Sequence, residues 1–129
     1  MRINYRLDPD MLPFAKQIPI ATDIAKGCAA RLAGQEPARF DDNDATFPEL
    51  QARIAKTVAY LKTFKPEEID GTATKSITLP MRTGPITYAG MPYLLDFAQP
   101  NFCFHVTTAH VILRHCGVAI GQWDFFGKS

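Results

Sequence analysis

The sequence predicts a mainly α-helical fold, a bundle of three long helices with a small β-hairpin placed before the last of them. Three observations carry this. Apolar residues recur at spacings of three and four over most of the chain. A short stretch of strict alternation stands apart between turn residues. The 129 residues, 47% hydrophobic and 21% charged, suit a single domain spanning 1–129 with a core that needs no disulfide or metal.

The first helix is expected over about residues 10–33. Met11, Phe14, Ile18, Ala21, Ala25, Cys28 and Leu32 form its apolar stripe, Asp10 is a suitable N-cap, Pro13 falls in the first turn, and Gly34 is the stop. Pro19 should kink it, because proline removes one hydrogen bond and presses on the carbonyl four residues back. The stretch 35–45, with Pro37 and the run Asp41-Asp42-Asn43-Asp44, has no period and reads as a loop whose charges are solvated. Thr46-Phe47-Pro48-Glu49 is a capping box that opens a second helix over about 46–64. Phe47, Leu50, Ile54, Val58 and Leu61 are its core stripe, and Lys65-Pro66 ends it.

Residues 65–91 are too many for a bare connection. Lys75-Ser76-Ile77-Thr78-Leu79 and Ile86-Thr87-Tyr88 alternate around Thr83-Gly84-Pro85, which predicts a hairpin over about 75–88 lying against the helices. The last helix is expected over about 91–116, bent or split by Pro100 and stopped by Gly117. The tail, 117–129, is rich in Gly and aromatics and should fold back over an apolar seam.

Chemistry concentrates on the last helix. At about 100° per residue, Leu94, Ala98, Asn101, His105, Ala109, Ile112 and Cys116 share one face, so Asn101 and His105 project together into the bundle. His105 then reads either as a core histidine satisfied by Asn101 or a buried water, or as half of a polar or metal site. Gln17, at the edge of the first stripe, faces the pair if the two helices are antiparallel neighbours. His110 points to solvent or the tail, and His115 sits in the final turn, where the helix dipole favours it. Asp23 reads as a surface or inter-helix hydrogen-bonding group. Cys28, Cys103 and Cys116 read as small core hydrophobes with reduced thiols, which fits a cytoplasmic protein. Phosphate loops, zincin or nucleophile-elbow motifs and paired carboxylates are not found. A net charge of +1 without a basic stripe argues against nucleic acid, and no apolar window is long enough for a membrane span.

Several blocks carry a resemblance. Arg6-Leu7-Asp8-Pro9-Asp10-Met11, Ala21-Thr22-Asp23, Ala30-Arg31-Leu32-Ala33-Gly34, Pro100-Asn101-Phe102 with Phe104-His105, Leu113-Arg114-His115, and Gly121 with Asp124-Phe125 together resemble a bacterial and fungal family catalogued as domain of unknown function nineteen-ninety-three. That family is similar in fold to the DinB and YfiT-like metalloenzyme superfamily, up-and-down four-helix bundles that bind a divalent metal through three histidines and include thiol transferases. The resemblance places His105 and Asn101 on the two ligands of the last helix and Gln17 on the third, a degenerate triad for zinc or nickel. It also implies that the family's first helix is missing here, leaving a seam that a homodimer would cover.

The function expected is therefore a non-catalytic module that binds a small-molecule ligand or a protein through the pocket of Gln17, Asn101 and His105, with no cofactor. The alternative is a divalent-metal-dependent enzyme of the thiol or group transferase type, with His105 as ligand or base.

Overall fold

The computed structural model describes residues 2–127, so Met1 and the last two residues of the predicted tail, Lys128 and Ser129, lie outside the described residues. Three long helices carry the fold: α1 (Phe14–Leu32), α2 (Phe47–Leu61) and α5 (Gln99–His115). Between them come the short α3 (Pro66–Ile69), strands β1 (Ser76–Leu79) and β2 (Ile86–Ala89), the turn α4 (Gly90–Pro92) and a π-helical segment, Tyr93–Ala98; α6 (Gln122–Phe125) closes the tail.

Helix α1 starts four residues later than predicted, and Asp10 is not its cap. The N-cap position is Pro13, which offers no side-chain acceptor. The orphan amides are satisfied instead by the preceding chain, Phe14 N–H donating to the Tyr5 carbonyl at 2.9 Å and Ala15 N–H to that of Ile3 at 2.9 Å. Pro19 lies inside α1 without interrupting it. Gly34, at φ +77°, ends the helix in a Schellman motif, its N–H donating to Arg31 and that of Gln35 to Ala30. Gly117 ends α5 in the same way, through Arg114 and Leu113.

Helix α2 opens as expected, with Thr46 accepting from the Glu49 amide. It ends at Leu61 and not at Lys65-Pro66, which instead begins α3. Phe14 meets Phe47 at the starts of α1 and α2, and Thr22 meets Arg53 further along, so these helices run parallel. The crossover 33–46 returns the length of the bundle between them. Helix α5 is antiparallel to α1: Phe14 clusters with Ile112, and Leu32 with Tyr93 and Ala98. Both α2 and α5 pack on α1 and barely touch each other.

The hairpin pairs Ser76 with Ala89 and Leu79 with Ile86. Its Ile77 and Leu79 join the cluster of Leu32, Tyr93 and Ala98, which holds it to the helices. Pro100 does not split the last helix. It lacks the N–H that would bond the Asp96 carbonyl, and the preceding turn widens into the π-helical segment, where Gln99 N–H donates to the Leu94 carbonyl five residues back. The tail folds back on α5, Phe125 meeting His110 edge-on with centroids 5.7 Å apart.

Candidate functional site

The structure brings Gln17 and His105 together. Gln17, only 1% exposed, lies in the first turn of α1, where its Oε1 sits 2.7 Å from His105 Nδ1 across the bundle. Its Nε2 donates to the Leu12 carbonyl at 3.0 Å, so the amide is used at both ends. Burial pushes the His105 imidazole below its ordinary 6.5. Asn101 is half-buried and, among the described residues, bonds neither Gln17 nor His105. The pair is therefore Gln17–His105 and not Asn101–His105.

As donors, Gln17, Asn101 and His105 do not fit a zinc or nickel ion. They offer one imidazole and two neutral amides, one of them committed to its hydrogen bonds, whereas such ions favour imidazole, thiolate or carboxylate. Among the described residues no group of three His, Cys, Asp or Glu is arranged to hold a metal ion. No step through a metal follows from this donor set.

A broad concavity lies elsewhere. An open groove of about 710 Å3 runs between α2 and α5 over α1, and Ile24, Cys28, Leu61, Leu94, Ala98 and Phe102 line it. None of Gln17, Asn101 and His105 does. Leu61 stands on its α2 wall and Phe102, 37% exposed, on its α5 wall, whereas Ile54 at 42%, Val58 at 45% and Leu95 at 50% are exposed outside the lining.

Helix α2, which gives the groove Leu61, is turned from its predicted orientation. The face it presents to α1 is Leu50, Arg53 and Thr57, while Ile54 and Val58 of the expected core stripe stay half exposed. Arg53 dictates the turn. Its Nε donates to Thr22 at 2.8 Å, one terminal nitrogen to the Asp41 carbonyl and Asp44, and the other to Asp23 and Asp42. All five guanidinium protons are engaged. Buried Lys26 adds an ion pair to Asp23, a hydrogen bond to the Ala38 carbonyl and a seat 3.7 Å from the centre of the Phe40 ring. The run 41–44 is the exposed loop expected, but the Asp42 and Asp44 carboxylates and the Asp41 carbonyl also hold Arg53. Asp23 is the inter-helix hydrogen-bonding group expected of it.

The remaining candidates are peripheral. His115 tilts against Tyr5 at the end of α5. All three cysteines are free thiols; burial raises the Cys28 pKa, which keeps it protonated, whereas Cys103 is exposed and not the core residue expected. Of the groove's lining, Cys28, Leu32, Leu61, Leu94 and Ala98 lie on the predicted apolar stripes, and periodicity carries no signal that they are left uncovered.

Three helices with an inserted hairpin, a buried polar pair between α1 and α5 and a lateral groove define a DinB-like helical domain. The chain belongs to the family described as Domain of unknown function (DUF1993), whose model matches residues 2–126. It is also similar to the crystal structure of a DinB family member protein from Shewanella denitrificans, with a TM-score of 0.90 and 38% identity over 98% of this chain and 72% of that one. No curated protein matches it. Among the described residues no helix is long and apolar enough to cross a membrane.

Proposed function

We propose that the chain is a non-catalytic interaction module that binds through the groove between α2 and α5, and that the occupant is a second copy of itself. The observation that carries this is the apolar lining, Leu61 on one wall and Phe102 on the other over Ile24, Cys28 and Leu94, with Ile54, Val58 and Leu95 also exposed nearby in sequence on α2 and the π-helical segment. Apolar ridges on α2 and α5 of one copy are the shape that fills the groove of another, as helices pack ridge into groove. A net charge of +1 puts little repulsion between copies. A small apolar ligand, or further chain of the same polypeptide, is the competing occupant. Three free thiols support a reducing, cytoplasmic setting.

Size-exclusion chromatography with light scattering on wall variants tests this reading. Leu61→Asp and Phe102→Asp stand on opposite walls, and each should shift the chain to monomer, because burying a charge costs about 2 kcal/mol or more, roughly thirtyfold in affinity. Phe104→Asp, at a position 56% exposed and away from the groove, should leave the dimer intact. A folded wild-type monomer, or a dimer unmoved by both wall variants, would exclude a second copy as the occupant.

A further inference from the structure

The Gln17 amide has only one orientation that satisfies both of its contacts. The Leu12 carbonyl accepts and cannot donate, so the amide nitrogen must face it, and the oxygen therefore faces His105. An amide oxygen only accepts, so the imidazole must donate from Nδ1. The lone pair of the neutral ring is then on Nε2. Among the described residues Nε2 has no hydrogen-bond partner, yet no side-chain nitrogen or oxygen is left both buried and unpaired, so Nε2 opens to solvent. A buried glutamine, anchored to backbone, thus presents one outward-facing acceptor nitrogen at the middle of α5.

We propose that Gln17 is a positioning residue that fixes His105 as its Nδ1–H tautomer and leaves Nε2 as an accessible acceptor. Burial of the ring supports this by favouring its uncharged form. It is independent of the groove, which His105 does not line.

Long-range 1H–15N correlation spectra of the 15N-labelled full chain test the tautomer, at a pH where His105 is neutral. Nδ1–H should outweigh Nε2–H by at least about fivefold, the bias of one ordinary buried hydrogen bond. Gln17→Met, which removes donor and acceptor at similar length, should abolish that bias, and Gln17→Glu, which keeps the acceptor, should retain it. A wild-type Nε2–H tautomer, or an unchanged ratio in Gln17→Met, would overturn the assignment. If Gln17→Met does not fold, the wild-type and Gln17→Glu spectra still decide. Diethyl pyrocarbonate probes the open nitrogen: the Nε2 lone pair bonds the carbonyl carbon, ethyl carbonate leaves, and the Nδ1 proton passes to water. Acylation of His105 at a rate comparable with exposed His115 is expected; reaction at His115 with none at His105 would refute an accessible Nε2.

Discussion

Replacing Arg53 with methionine removes the clamp that ties the crossover 33–46 to α1 and α2. Its five hydrogen bonds are not equal. Those to Asp23 and Asp42 reach carboxylates whose side chains are 47% and 66% exposed, and such pairs contribute about 0–1 kcal/mol each. Those to Thr22 and to Asp44, 12% exposed, are shielded, and a hydrogen bond to a charged group there is worth about 1.5–3 kcal/mol. Methionine recovers part of the burial, so the net cost should be about 3–5 kcal/mol, as for other buried ion pairs broken on one side. Urea unfolding followed by circular dichroism, at fixed protomer concentration because association adds to apparent stability, measures it. Asp42→Asn is the control and should cost under about 1 kcal/mol. If Arg53→Met costs no more than that control, the guanidinium is not what orients α2.

Further outcomes follow from the same packing. His105→Leu leaves the Gln17 oxygen buried and unpaired, so it should cost about 1–3 kcal/mol, whereas the double variant with Gln17→Met should be nearly neutral; equal costs in urea unfolding would mean that the pair is not coupled. His105 also carries a pH dependence. With its folded pKa below the ordinary 6.5, the unfolded chain binds more protons than the folded one in the interval between the two values. Stability relative to the double variant should therefore fall as pH drops from about 6.5 through the lowered pKa and stay flat above about 6.5; a rise on acidification would contradict the burial of the ring. Gly90→Ala places a methyl on the Thr72 carbonyl oxygen and should destabilise by at least about 1–3 kcal/mol; a wild-type thermal midpoint would show that this approach is not close. Iodoacetamide should alkylate exposed Cys103 well before Cys28, whose thiol burial keeps protonated, and mass spectrometry reads the order.

Helix existence, the hairpin with its turn at Gly84, the Thr46 cap and both glycine stops were legible because each rests on contacts within a few residues. So was the meeting of Gln17 with His105, which needed only the face of each helix and their antiparallel order. What failed depended on partners distant in sequence. The start of α1 is set by carbonyls at Ile3 and Tyr5, a tertiary substitute for the side-chain cap expected of Asp10. The orientation of α2 is set by Arg53, and apolar periodicity alone weights Ile54 and Val58 toward the core, because it assigns no value to a guanidinium whose acceptors lie 9 to 31 residues away. The consequence is that a polar seam on α1 leaves Ile54 and Val58 facing outward.

Sedimentation equilibrium of the full chain over a range of micromolar concentrations tests the central claim most directly. A mass twice that of one chain, falling toward the single-chain value on dilution, is the result predicted for a groove closed by a second copy. A folded monomer across the whole range would contradict it and leave the groove to a ligand or to other chain.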